Sequence, residues 1–246
     1  MLSAKELYGE GYSLRGLKSC RPAKKPFVNY TQRQRRLRWC HEFKNFTEEQ
    51  WKKVIFSDES SFQTFNVRGQ VRRRIGERYK PECLQPTVKF PHSVMVWSCV
   101  SFHGVGRLFI LEKGARFNSK LYMNILKDRL LRSAREWYPD GDYMFQDDGA
   151  PCHRSKAVTI HKENLGIPSL PWWPGQSPDL NIIENLWSRV DALVQEKKPT
   201  TRCELINAII QVWHREITPE LIQNLIKSMP NRIRSVINSK GFPTKY

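Results

Sequence analysis

Nine consecutive residues, SVMVWSCVS (93–101), contain no charge and no strongly polar side chain except serine. A run of that length without alternation predicts a strand buried on both faces, which needs a covering layer on each side. The flanking sequence supplies those layers. A strand is predicted over Val54–Phe65, fed by a short turn behind the capping box Thr47-x-x-Gln50. Gly69 marks a hairpin whose return arm is Arg72-Arg73-Arg74, and His103-Gly104 turns the chain into Val105–Leu111. Asn118 can cap a helix with Tyr122, Ile125, Leu126 and Leu130 on one side. Tyr143–Gln146 reads as another strand, followed by a helix from about Ser155 to Asn164 with Gly166 as its stop. Further helices are predicted from Pro178 to about Glu196, behind Thr201-x-x-Glu204, and at Thr218-Pro219. The fold class that follows is α/β, a mixed β-sheet with helices on its faces.

Charge narrows the function. The 246 residues carry 41 Lys and Arg against 24 Asp and Glu, a formal net charge of +17. Such an excess asks for a polyanion, and nucleic acid is the default because cationic side chains release counterions from phosphates. With 39% hydrophobic residues and eight Trp, the chain is no disordered basic tail. Residues 1–44 hold eleven Lys and Arg against three Glu. Within them, Arg21-Pro22-Ala23-Lys24-Lys25-Pro26 reads as an extended basic linker, and Thr31-x-x-Gln34 as a capping box opening a basic helix to about Phe43. Arg15, Lys24, Lys25, Arg33, Arg35 and Arg36 are the candidates for contacting DNA; a nuclear-localisation signal or a solvated face explains the same run as well. The apolar runs are too short to cross a bilayer, and the N-terminus MLSAKELYGEGY lacks the apolar core of a signal peptide. The six cysteines include no C-x-x-C pair, so reduced cysteines in an intracellular protein are expected.

Three carboxylate positions stand out. Asp58 ends the apolar run Val54-Ile55-Phe56-Ser57 on the face of Val54 and Phe56, where a charge is costly without compensation. Asp147 and Asp148 follow the strand ending at Gln146. Neighbours on a strand face opposite ways, so at most one joins Asp58, and alternation leaves open which. Glu184 sits at the border of the stripe Ile183, Leu186, Trp187, Val190 and Val194. Asp179 lies about 140° away on the same predicted helix and suits the dipole at its start. Each acid alone has a plainer explanation: a turn-bonding Asp, one solvated and one loop-capping Asp, a boundary Glu. Together, two strand-end acids and one helix acid can converge on one or two Mg²⁺ ions. Hard cations take oxygen ligands, and a two-metal site activates an attacking oxygen while stabilising a leaving one. On a basic protein the matching substrate is a phosphodiester.

Longer segments carry a family resemblance. VIFSDESSF (54–62), MFQDDGAPCH (144–153) and WPGQSPDLNIIENLW (173–187) resemble, in order, the three acid-bearing motifs of the Tc/mariner superfamily of cut-and-paste DNA transposases. CLQPTVK (83–89), SVMVWSCVS and MPNRIRSVINSKGFPTKY (229–246) are similar to the same family, so the likeness runs from about residue 12 to the end. It implies an RNase H-like fold and a D-D-E triad, which position by position is Asp58, Asp148 and Glu184. The family's Asp-x-Ala-Pro frame selects Asp148 over Asp147; 35 residues then separate it from Glu184, within the family's range. The implied chemistry is Mg²⁺-dependent phosphoryl transfer, with Mn²⁺ able to substitute: water cleaves the transposon end and the freed 3′-hydroxyl attacks target DNA. The implied partners are double-stranded DNA (transposon ends and target) and a second copy in a homodimer, in the nucleus and away from membranes. His153 either positions substrate or stabilises its own loop.

The same comparison shows departures. Family members begin with two helix-turn-helix units, whereas LYGEGYSLRGLKSCRPAKKP (7–26) resembles only the end of the second unit and its linker. The expected organisation is that remnant over 1–27, a basic linker helix over 28–46 and the RNase H-like catalytic domain over 47–246, with specific end recognition largely missing. Lys89-Phe90-Pro91-His92 replaces the family's Gly-rich loop, and Gly149 a common Asn. The alternative function is a catalytically silent DNA-binding or interaction protein derived from a transposase. A general RNase H-like nuclease is disfavoured by the length of the matching segments.

Overall fold

A computed structural model describes residues 25–65, 72–84 and 88–246. The strand that sequence places between two layers stands inside the sheet. β1 (Val54–Gln63) pairs antiparallel with β2 (Ser93–Ser101), and β2 pairs also with the short strands β3 (Gly104–Val105) and β4 (Phe109–Ile110). On its other edge β1 runs parallel to β5 (Met144–Gln146), giving the order β3-β2-β1-β5. Helix α1 (Tyr30–Phe43) and α2 (Glu48–Lys52) precede the sheet. Between β4 and β5, α3 (Ser119–Ile125) continues through a π-turn at Leu126–Leu130 into α4 (Leu131–Trp137). After β5 come α5 (Lys156–Asn164), α6 (Ile183–Glu196), α7 (Arg202–Glu216), α8 (Pro219–Lys227) and α9 (Met229–Asn238).

Strand alternation sorts the side chains into two cores. Val54, Phe56, Val94, Val96 and Val100 face one, which α1, α2 and α6–α9 cover with residues such as Trp39, Trp51, Leu186, Trp213 and Ile233. Ile55, Trp97, Cys99 and Phe145 face the other, covered by Tyr122, Ile125, Leu130 and Val158. This is the expected mixed sheet flanked by helices. The capping boxes at Thr47 and Thr201 form, and Asn118, Ser155 and Thr218 cap their helices through side-chain oxygens. No helix among the described residues is long and apolar enough to cross a membrane, and the five described cysteines are unpaired.

Four boundaries differ from expectation. The box that opens α1 is Asn29 with Gln32, not Thr31 with Gln34: Asn29 Oδ1 accepts from Gln32 N and Gln32 Oε1 from Asn29 N, each at 2.9 Å. Arg72-Arg73-Arg74 is exposed irregular chain rather than a hairpin arm, because three successive charges cannot bury an alternating face and β2 takes the pairing edge instead; Gly69 lies outside the described residues. The helix expected from Pro178 begins at Ile183, since Asp179 and Asn181 turn inward to tertiary partners. The tail holds one more helix than expected, α9, after the break at Ser228.

Candidate active site

The parallel register between β1 and β5 decides which of the paired aspartates meets Asp58. Phe56 stands opposite Gln146, and two residues further on Asp58 and Asp148 leave their strands on the same side of the sheet. Asp147 points to the other side, toward the second core, where Lys162 forms an ion pair with it and the Tyr122 hydroxyl donates to it at 3.3 Å. Glu184, in the first turn of α6, comes up from the first core. Asp58, Asp148 and Glu184 thus line one cleft of about 490 Å³, walled by the loop Trp173–Pro178 and by Pro26 and Gln32 at the start of α1.

A buried polar hub holds the three acids in place, and sequence reading missed it. Ser57, next to Asp58, accepts at its main-chain oxygen from Asn181 Nδ2 at 3.2 Å. Its Oγ donates to the Gln146 carbonyl at 2.9 Å, and its N–H donates to Gln146 Oε1 at 3.2 Å. Gln146 precedes the aspartate pair and Asn181 precedes α6, so one cluster ties the three acid-bearing segments together. Arg232 on α9 adds a clamp from behind, donating to the Asp179 carbonyl at 2.8 Å and to Asn185 Oδ1, beside Glu184, at 2.7 Å.

The cleft is electrostatically uncompensated on one side. Burial, then the charges of Glu184, Glu59 and Asp148, push the Asp58 carboxyl well above its ordinary range. Glu184 is raised by burial too, although it shares a hydrogen bond with Asp58. Asp148 differs. Burial would raise it, but the His153 ring at 2.7 Å and the Ala150 N–H at 2.8 Å together hold it below its ordinary value. His153 is buried, stacks on Tyr122 at 4.0 Å, and lies 3.3 Å from Glu59 without a well-aligned hydrogen bond. Burial disfavours its charged form, yet Asp148 and Glu59 outweigh that and push it up to about 10. Glu59 stays raised because its own burial exceeds the pull of the imidazolium. Glu59, Asp148 and His153 therefore also form a compact donor group, but there the imidazolium already supplies the positive charge. Gly149 stands at a φ of 66°, a left-handed conformation that Asn also tolerates, so its replacement of the family's Asn keeps the turn.

The basic candidates separate by burial. Lys25 is exposed and donates to the Tyr246 main-chain oxygen at 2.6 Å; Arg35 is exposed; Arg33 is half-buried with its guanidinium 4.2 Å from the Phe242 ring centroid. Arg36 is corrected from a DNA-contacting residue to a core residue. It is 0% exposed, makes a two-pronged ion pair with Asp179 at 2.7 and 2.8 Å, and donates to the Gly241 carbonyl at 3.0 Å. Asp179 in turn accepts from the Thr244 N–H and hydroxyl, both at 2.9 Å, so it braces the tail rather than a helix dipole. Arg15, Lys24 and the segment 7–24 lie outside the described residues.

Known proteins resemble this chain in sequence and in fold. A family described as DDE superfamily endonuclease matches residues 53–206. The Tcb1 transposase of Caenorhabditis briggsae is 34% identical over 237 residues, covering 94% of this chain and 84% of that protein. The Tc1 transposase of Caenorhabditis elegans is 35% identical over 235 residues with the same coverage. Among solved structures, the Mos1 transposase paired-end complex with left transposon end superposes with a TM-score of 0.81 at 20% identity, covering 95% of this chain and 68% of that one. The catalytic domain of Mos1 mariner transposase gives 0.70 at 18% identity, covering 91% of this chain and 100% of that one, which shows the shared RNase H-like fold.

Proposed function

The chain belongs to the Tc/mariner family of DDE transposases, and from that premise we propose that Asp58, Asp148 and Glu184 hold Mg²⁺ or Mn²⁺ for the cutting and joining of DNA strands. The observation that carries this reading is the crowding of three carboxylates in one cleft. Among the described residues no Lys or Arg forms an ion pair with Asp58 or Glu184, and both carboxyls are raised. A set of hard oxygen donors whose mutual repulsion a cation would relieve fits a divalent metal. When bound, such ions activate the attacking oxygen and stabilise the leaving one.

The chain's own residues do the positioning. β1, β5 and α6 present the carboxylates, and the Ser57–Gln146–Asn181 hub fixes their spacing. His153 keeps Asp148 ionised and held in its loop. Lys162 removes Asp147 from the competition. Lys25, Arg35 and Arg154 are exposed and offer charge to DNA phosphates. Water and then a 3′-hydroxyl serve as nucleophiles on transposon ends and target DNA, a homodimer brings two ends together, and the nucleus is the place of action. A catalytically silent binding protein is not favoured, because DNA binding alone gains nothing from carboxylates pressed together.

Nicking of supercoiled plasmid in Mg²⁺ or Mn²⁺ tests the reading without requiring end recognition. The expected result is nicking that Asp148→Asn abolishes and Asp147→Asn largely spares. A folded protein that never nicks, or one equally impaired by both changes, overturns the assignment.

A further inference from the structure

Beside the acid cleft lies a second cavity, of about 590 Å³, that the proposed chemistry does not use. The two share Asp148, Gly149, Trp173 and Gly175, so they open into one another at the second acid. Three elements line the new cavity with cations: Arg35 and Arg38 on one face of α1, Arg154 after β5, and Lys162 on α5. Lys162 is occupied by Asp147, and Arg38 by Glu42 at 2.9 Å. Arg35 and Arg154 are exposed and form no ion pair among the described residues. The apolar wall is Trp172 and Trp173, both partly exposed. Trp172 is held by donating Nε1–H to Glu42 at 2.7 Å, and the Trp173 ring meets Trp39 edge-on at 4.8 Å. Two indoles, Trp172 already faced by the Arg38 guanidinium at 5.7 Å from its ring centroid, and two guanidiniums outside any ion pair match a single nucleotide in one pocket: stacking for a base, charge for its phosphate. The volume falls in the range of pockets that receive one small molecule.

We propose that this pocket receives an unpaired DNA nucleotide next to the phosphodiester held at the acids, with its base against Trp172 and Trp173 and its phosphate on Arg35 and Arg154. The proposal rests on the reading of the acid cleft as a DNA-processing site. It gives that site a preference for DNA whose strands are parted at the point of cleavage.

Binding without divalent metal separates this proposal from catalysis. The whole chain is titrated, in EDTA at fixed salt, against a labelled blunt duplex and the same duplex extended by a four-nucleotide single strand of either polarity. One extended duplex is expected to bind at least ~5-fold more tightly than the blunt one, the lower end of what a stacked base contributes. Trp172→Leu is expected to bring that ratio near one, whereas Trp172→Phe, which keeps a stacking face, retains most of it. Arg35→Ala is expected to lower the salt dependence of extended-duplex binding by about one phosphate contact. Equal binding of blunt and extended duplexes by the wild-type chain overturns the proposal, as does a ratio that survives Trp172→Leu. Plasmid nicking that depends on Asp148, combined with no extension preference, sinks the pocket alone. An extension preference without any nicking upholds the pocket and sinks the catalytic reading.

Discussion

At Asp58 a carboxylate must ionise against burial and against the charges of Glu184, Glu59 and Asp148, whereas at Asp148 a bound imidazolium favours ionisation. The two acids therefore have opposite consequences for stability. A carboxyl raised in the folded state costs stability once the pH passes the ordinary carboxylate range, while a lowered one contributes stability there and loses it as pH falls. At pH 7 in EDTA, Asp58→Asn is expected to raise Tm, by about 2–4 °C for each kcal/mol of relieved repulsion in a chain of this size. Asp148→Asn is expected to lower it, because His153 loses its closest partner. Added Mg²⁺ or Mn²⁺ should raise the Tm of the wild type and not that of Asp58→Asn. Differential scanning fluorimetry reads all three, and a destabilised Asp58→Asn protein would contradict the crowded-carboxylate account. Asp58 and Glu184 stood out in sequence as charges beside apolar patterns, but each alone had a plainer explanation, and only the family resemblance joined them into a triad. Arg36 was misread, although the signal was present. With Trp39, Cys40 and Phe43 it lies at spacings of three, four and seven on one helix stripe, so it shares the buried face of α1. Composition counted it among the solvent-facing cations; periodicity did not.

At the scale of elements, most caps and strands followed from local rules, since a capping box or an alternating run is complete within a few residues. What those rules leave out is how β1, β5 and α6 are joined. Ser57, Gln146 and Asn181 look ordinary one by one, and only pairing brings them within hydrogen-bond distance. The start of α6 was misplaced for the same reason: Asn181 donates to Ser57 instead of entering a helix at Pro178. Asn181→Ala removes that bond and leaves a buried carbonyl unpaired, a cost of about 1–3 kcal/mol. Its larger effect is expected on geometry, because displacing a catalytic group by about 1 Å costs on the order of 100-fold in rate. Metal-dependent nicking should therefore fall at least ~10-fold in a protein that still melts cooperatively. Arg232→Lys keeps a charge but gives up the fork that spans Asp179 and Asn185, and should act in the same direction. Unchanged nicking in both variants would remove the hub from the positioning machinery.

At the scale of the molecule, α1 and the chain's last residues meet over the loop before α6, although more than 200 residues separate Arg36 from the Gly241 carbonyl it bonds. Gly241 allows the approach: at a φ of 81°, a Cβ there would lie 2.5 Å from the Arg33 carbonyl oxygen. No local pattern announces such a meeting, so α1 and the tail motif read as separate segments and their junction went unread. The junction resists mild acid and gives way only in strong acid. Burial would raise Asp179, but Arg36 and the Thr244 donors hold it below the ordinary carboxylate range. Its contribution is thus present at neutral pH and lost as pH falls through that depressed value. Removing one partner of a buried pair costs about 3–5 kcal/mol, so Asp179→Asn should lower Tm by roughly 6–20 °C at pH 7. The same change should flatten the acid limb of the Tm–pH profile, because the group that titrates there is gone. Arg36→Met with Asp179→Leu should recover part of the loss, since a neutral apolar pair leaves no stranded charge. If the double variant is no more stable than Asp179→Asn, the stranded guanidinium is not the main cost. The bonds to Gly241 and Thr244 would then be what locks the linker helix and the tail onto the segment that carries Glu184.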